Sequence, residues 1–170
     1  MNVRRLELEP MRDNLLAAAD QLDLRMGGQP VMLTGPNYSH RRAVYAYLDR
    51  QDLPGFYRVF DLASPDQSTA LRPNTSVPQQ ALFFLNSAIT VDQAKKLLDR
   101  AEVASAANDD DKISALYRVV FGRNPTDEEK TLGREYVQSL ADREGEKIKL
   151  NPWQQYCQLL LGTNEFLFVD

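Results

Sequence analysis

The chain has 170 residues, 43% of them hydrophobic and 26% charged, with 20 basic and 24 acidic side chains and a formal net charge of −4. This is about one domain's worth of ordinary globular composition; the acidic sign argues against a dedicated nucleic-acid binder, and the apolar runs are too short to cross a membrane. A chain this long buries roughly 70% of its unfolded surface and needs no metal or disulfide to fold. Its one cysteine, Cys157, excludes an intramolecular disulfide, and no Cys-x-x-Cys-His motif is present to attach a haem.

The opening stretch MNVRRLELEP has no apolar core of a signal peptide. Met11, Leu15, Ala18, Ala19 and Leu22 recur at helical spacing and predict a first helix over residues 10–22, ended before Gly27-Gly28. Val31-Met32-Leu33, bounded by Pro30 and Gly35-Pro36, reads as a brief strand. Val44, Tyr45 and Tyr47 favour a strand partner for it within residues 41–50, with a helix as the competing reading. Residues 53–72 read as loop, with one helical turn near 56–60.

Helices are then expected at 77–86, 91–104, 111–121, 127–141 and 152–161. Their starts carry capping boxes, in which a hydroxyl accepts from the third backbone N–H and the third side chain reaches back to the cap. The pattern occurs at Ser76 with Gln79, Thr90 with Gln93 and Thr126 with Glu129; Asn151-Pro152-Trp153-Gln154 is a variant with proline at the first helical position. Gly122 and Gly162 are expected to form left-handed C-terminal caps. The segment AEVASAANDD suggests a weak hinge near 105–110. The predicted fold is mainly α: one irregular domain of about six helices over residues 1–170, with a small two-stranded β element near 31–33 and 43–47.

Candidate chemistry is sparse. His40, the only histidine, forms a basic cluster with Arg41 and Arg42. Arginines bind anions bidentately, and the competing expectation is ion pairing with Asp61, Asp66 or other surface carboxylates. No Gly-x-Ser-x-Gly elbow exists, and Cys157 shares a helical face with Trp153, Tyr156, Leu160 and Leu161, as an inert core thiol would. Asp109-Asp110-Asp111 suits a helix N-terminus rather than a calcium loop. One histidine and one cysteine leave little for zinc, and MGGQP lacks the lysine and context of a phosphate loop. Neither metal nor cofactor is expected. Asn37-Tyr38-Ser39 and Asn74-Thr75-Ser76 match the short N-glycosylation triplet. The aromatics Tyr45, Tyr47, Phe56, Tyr57, Phe60, Phe83 and Phe84 suit a core, or else the lining of a carbohydrate cleft.

The stretch RPNTSVPQQALFFLN, residues 72–86, is the most informative. Ser76, Pro78 and Gln79 are explained by a helix start, and Ala81, Leu82 and Leu85 form the expected buried face. Arg72, Asn74, Thr75 and Gln80 exceed what a cap requires. The residues Arg41-Arg42-Ala43-Val44-Tyr45, Phe60-Asp61, Arg72 to Leu82 in the pattern Arg-x-x-Thr-x-x-Pro-Gln-Gln-Ala-Leu, Leu85-Asn86 and the ending NEFLFVD form a combination. That combination resembles a C-terminal domain of unknown function of planctomycete surface proteins that are often linked to planctomycete-type cytochrome c domains. Ala43 stands where that pattern has serine. RRLELEPMRDNLLAAADQLDLRMGG and LYRVVFGRNPTDEE resemble the flanking parts of the same domain. The resemblance implies a C-terminal piece of a larger multidomain protein, exported to the periplasm or cell surface, and supplies no catalytic residue.

The expected function is a non-catalytic binding or assembly module. His40, Arg41, Arg42, Asp61, Arg72, Asn74, Thr75, Gln79 and Asn86 are its candidate polar network or anion site. Arg72→Ala is expected to cost more than about 1.5 kcal/mol if the network is buried. Expected partners are other domains of the parent protein and an anionic or carbohydrate ligand, with no nucleic acid and no membrane insertion. The alternative is part of an extracytoplasmic enzyme acting on an anionic or polysaccharide substrate, using His40, Arg41, Arg42 and Arg72; support for electron transfer rests only on the cytochrome neighbours.

Overall fold

Amphipathic spacing and capping residues divide the chain into helices much as the sequence predicts. The computed structural model describes residues 4–141 and 150–169. Met1 to Val3 of the opening stretch and Asp170 of the NEFLFVD ending lie outside them. The described structure is mainly α: 54% helical, with nine helices, six of them seven residues or longer, and one short antiparallel pair of strands.

In chain order, β1 (Arg4–Arg5) leads into α1 (Leu8–Ala18), which buries Leu8, Met11, Arg12, Leu15, Leu16 and Ala18. The first helix thus ends four residues before the predicted boundary. Asp20 turns left-handed (φ 56°), and the Gln21 amide donates back to the Leu16 carbonyl at 2.8 Å. After α2 (Gly55–Val59) come α3 (Pro78–Asn86), α4 (Ala88–Asp99), α5 (Ala101–Ala104) and α6 (Asp109–Phe121). They are followed by α7 (Asp127–Ala141), α8 (Pro152–Leu161), α9 (Asn164–Leu167) and β2 (Phe168–Val169). Helix α4 lies along α8, and α6 and α7 flank α8 on its other sides. Leu15, Leu97, Leu116 and Leu161 meet in one apolar cluster with Cys157, whose thiol pKa is pushed up by burial. Tyr57, Phe60 and Phe84 belong to that core, and Phe56 and Phe83 pack against it; Tyr47 instead stands in solvent.

Two capping boxes stand as predicted. Thr126 and Glu129 exchange bonds of 2.7 and 3.2 Å, and Asn151 and Gln154 exchange two of 2.9 Å. Gly122 is left-handed (φ 71°), and the Asn108 side chain caps the first turn that carries Asp109, Asp110 and Asp111. Three expectations need correction. Helix α4 starts at Ser87, whose hydroxyl caps the Thr90 amide, so Thr90 and Gln93 are interior and buried. Helix α3 starts after Val77, and Gln80 rather than Gln79 reaches back to the cap amide at 3.4 Å. Gly162 is not left-handed (φ −98°); α8 closes through the Thr163 hydroxyl, which donates to the Leu160 carbonyl at 2.8 Å.

The buried face of α3 also differs. Gln80 and Phe84 are buried, while Ala81, Leu82 and Leu85 are exposed. The aromatic rings decide this orientation: Phe84 meets Phe60 and Phe83, and Phe83 stacks on Phe56 at 4.8 Å.

The expected strand pair near 31–33 and 43–47 does not form. Ala43–Tyr45 winds into a 3-10 turn. One isolated parallel bridge remains, in which Val31 donates to the Tyr45 carbonyl (2.9 Å) and accepts from the Tyr47 amide (2.8 Å). The 3-10 turn takes Ala43–Tyr45 out of extended conformation, and the Leu33 carbonyl accepts from Arg12 Nε at 3.2 Å. The sheet among the described residues is β1 with β2, Arg4 opposite Val169 and Arg5 opposite Phe168.

Arg123, in the link between α6 and α7, grips Glu129 at 2.7 and 2.9 Å and Glu165 of α9 at 2.5 and 2.7 Å. The hydrogen bond from Arg123 holds the Glu129 carboxyl down to about 2. A depressed folded pKa gives stability that is present above the unfolded value and lost as pH falls through the folded one. In Glu129→Gln, the stability deficit against wild type should therefore be full at pH 6 and shrink as pH drops below about 4.5 towards 2, as read by urea unfolding. Gly133 of α7 supplies a second check. A Cβ there would lie 2.6 Å from the Tyr156 hydroxyl and 3.0 Å from Ile113 Cδ1. Alanine's helix preference, worth about 1 kcal/mol, opposes an overpacking cost of about 1–3 kcal/mol. Gly133→Ala should lose about 1 kcal/mol net in the same assay.

Candidate functional site

Asp61 is the most connected of the candidate residues. It follows α2 in the left-handed conformation (φ 59°), which aspartate tolerates better than most residues. Its carboxylate accepts from Arg5 Nη2 at 2.6 Å, from the Thr75 amide at 2.9 Å and from the Thr75 hydroxyl at 2.8 and 3.0 Å. Beside it, Gln80 donates to the carbonyls of Val59 (2.8 Å) and Thr75 (3.1 Å). Arg5 and Asp61 side chains are 8% and 10% exposed. The Arg5 guanidinium lies over the Phe60 ring at 5.5 Å, and its Nε and Nη1 are buried without a partner among the described residues. Three segments, at residues 5, 59–61 and 75–80, thus meet on one carboxylate and one amide.

Arg72 sits at the same end of the molecule. It pairs with Glu9 at 2.8 and 3.0 Å and with Glu7 at 3.1 Å, at the start of α1. The Glu9 bond raises its already high pKa. Arg4, Asp61, Arg72 and Asn74 line a cleft of about 140 Å³. Asn74 is exposed there.

The basic cluster lies elsewhere. Arg41 donates to the carbonyls of Gln29 (3.1 Å), Arg25 (3.4 Å) and Gly27, and stacks over Tyr45 at 4.2 Å. Gly28 makes room for it: with φ 93°, its missing Cβ would fall 3.3 Å from Arg41 Nη1. Arg42 is exposed and 4.0 Å from Asp13; His40 is exposed beside Tyr38, ring to ring at 5.5 Å. Of the expected carboxylate partners, neither Asp61 nor Asp66 pairs with this cluster; Arg42 meets another carboxylate, Asp13, and Arg41 is held by carbonyls. Gln79 and Asn86 face out of α3, and Asn86 bonds only its own helix, at the Leu82 carbonyl (3.1 Å). The nine candidates do not share one network: Asp61 and Thr75 join, Arg72 and Asn74 adjoin them across the cleft, and the remaining five stand apart.

Four important residues are missing from the candidates: Gln80, noted in the sequence only as polar excess, and Arg12, Gln93 and Arg5. Arg12 is 1% exposed and donates to the carbonyls of Leu33 (3.2 Å), Arg41 (2.9 Å) and Ser39. Burial lowers its pKa, with Asp13 opposing that shift. Burial likewise raises the Asp13 pKa, against the pull of the Ala43 amide, which donates to Asp13 at 2.7 Å. Arg12 lies on the apolar face of α1 between Met11 and Leu15, a visible sign that a cation is buried. Gln93 is similar: it is buried on α4, it donates to the Tyr38 hydroxyl at 2.9 Å, and its Oε1 lacks a partner among the described residues. Burial pushes the Tyr38 hydroxyl up to about 12. Arg5 gave no periodic signal, because its partner is 56 residues away.

Among the described residues, no three His, Cys, Asp or Glu side chains cluster as metal ligands would. The polar groups bind the chain to itself, which defines a helical domain whose irregular segments are tied down by side chains. The chain belongs to the PSD1 family, described as a protein of unknown function (DUF1553), whose sequence model matches residues 1–137. No curated protein and no solved structure matches it.

Asp61→Asn keeps the left-handed turn and removes only the charge, leaving the buried Arg5 cation unpaired. It should cost about 3 kcal/mol in chemical unfolding, whereas Gln79→Ala, on the exposed face, should stay within about 0.5 kcal/mol of wild type.

Proposed function

We propose that this chain is a non-catalytic binding or assembly module of a larger exported multidomain protein. One observation carries the proposal: Asp61, Arg72 and Arg41 are engaged internally, while large apolar side chains face solvent. Asp61 is taken by Arg5 and Thr75, Arg72 by Glu7 and Glu9, and Arg41 by three carbonyls. Leu71, Leu82 and Leu85 are 85%, 54% and 61% exposed, and the last two are neighbours on the outer face of α3. A polar ligand needs free donors and acceptors; a protein partner needs apolar area. The partners proposed are other domains of the parent.

The setting proposed for that parent is the planctomycete periplasm or cell surface, with frequent linkage to planctomycete-type cytochrome c domains. Its support is the residue pattern around Arg41-Arg42, Phe60-Asp61 and residues 72–86. The enzyme alternative calls for a cleft joining His40, Arg41 and Arg42 to Arg72 and Asp61. The cleft that holds Arg72 and Asp61 has none of those three in its lining.

Thermal unfolding against a panel of anions, sulfated and plain oligosaccharides and divalent metals tests this, because a ligand selective for the folded state raises the melting temperature. The expected result is a flat panel. Arg72→Ala should cost less than about 1 kcal/mol, since its ion pairs are partly solvated, a smaller loss than a buried network would give. A rise caused by one ligand class, and absent in Arg72→Ala, would favour the enzyme instead.

A further inference from the structure

An apolar groove lies away from the candidate residues, between the end of α6 and the facing sides of α7 and α8. It encloses about 620 Å³. Tyr117 and Phe121 of α6, Tyr136 of α7 and Tyr156 of α8 form its aromatic lining. Tyr156 is buried, and its hydroxyl seats against Gly133 of α7, which sets how closely the two helices approach. Leu132 of α7 and Leu159 of α8 also line the groove, yet they are 65% and 45% exposed. Among the described residues, its charged lining is Glu129, Glu135 and Glu165. Arg123 partly offsets two of these carboxylates, and it also occupies the faces of Tyr117 and Phe121, at 5.2 and 5.8 Å.

These features select an occupant. With Arg123 over Tyr117 and Phe121, those rings are already engaged by a cation, which disfavours a small quaternary ammonium ligand. A small apolar molecule would fill the floor and leave Leu132 and Leu159 in water. A helix laid between α7 and α8 covers floor and both leucines together, packing its ridges into the groove of the pair. The acidic lining then favours basic residues beside the apolar stripe.

We propose that the groove between α6, α7 and α8 docks an amphipathic helix of a protein partner whose apolar stripe is flanked by lysine or arginine. This rests on the binding-module reading and assigns it a surface and a partner chemistry.

The test uses the full chain and three labelled synthetic peptides of about 18 residues, or five helical turns: a leucine stripe flanked by lysine, the same stripe flanked by glutamate, and a scrambled lysine peptide without a stripe. Fluorescence anisotropy should show binding of the first peptide alone. Leu132→Asp and Leu159→Asp, both at solvent-facing positions and checked for unchanged unfolding, should each weaken it by about tenfold or more. Glu135→Lys should shift preference towards the glutamate-flanked peptide. The proposal is overturned by absence of binding, by equal binding of the scrambled peptide, or by indifference to both aspartate variants. Concentration-dependent dimerisation that Leu132→Asp abolishes also overturns it, in favour of a second copy of the chain. Failure here with a flat small-ligand panel removes this groove and leaves the module reading intact; a ligand-specific thermal shift removes the module reading itself.

Discussion

The guanidinium of Arg12 is the constraint on which the middle of this protein depends. Between α1 and α3 the chain carries one short helix and a 3-10 turn, so most of its backbone groups have no regular ladder to enter. Buried backbone groups still need partners. Arg12 reaches from the apolar face of α1 to three carbonyls of that segment, and the adjacent Asp13 takes the Ala43 amide. A buried cation is tolerated only when its donors are satisfied. The loop and the helix therefore specify one another: without the carbonyls the cation would be stranded, and without the cation the carbonyls would be.

The same device recurs across the structure. Arg41 gathers the carbonyls of the 25–29 turn, Gln80 holds those of Val59 and Thr75, and Arg100 reaches those of Ala17 and Ala18 at the end of α1. In each case a side chain stands in for secondary structure. This explains why a short stretch such as 72–86 carries more polar capacity than helix capping uses.

Local signals were legible in the sequence wherever a single residue decides the outcome. Thr126 with Glu129, Asn151 with Gln154 and Gly122 each act within one turn, and each appears where its pattern predicts. The misplaced caps show the limit. Ser87 and Thr90 both offer a hydroxyl before an amphipathic run, and the burial of Thr90 and Gln93 against the rest of the fold selects Ser87. On α3, Leu82 and Leu85 have the more apolar side chains, yet Phe84 and Gln80 turn inward because the aromatic cluster and two backbone carbonyls lie on that side. For the site, Thr75 and Gln80 stood out as polar excess and Asp61 as an ion-pair partner, while Arg5 did not stand out, since nothing near it in sequence requires a buried guanidinium. Arg12 was visible in principle, a cation set among Leu8, Met11, Leu15 and Leu16. The α6–α7–α8 groove was hidden because it arises from residues on helices that meet only on folding.

The pairing of β1 with β2 has a mechanical consequence. Arg4 lies opposite Val169 and Arg5 opposite Phe168, with the Leu6 amide on the Leu167 carbonyl, so the strands run antiparallel with their outer ends side by side. Tension drawing residues 4 and 169 apart would load these cross-strand bonds in succession, the outermost first, because they run across the strands rather than along them. The pair is a zipper, not a shear clamp. Its opening leads directly to Arg5 and the Asp61 carboxylate, so the first appreciable resistance to stretching would come from a charged pair within the fold.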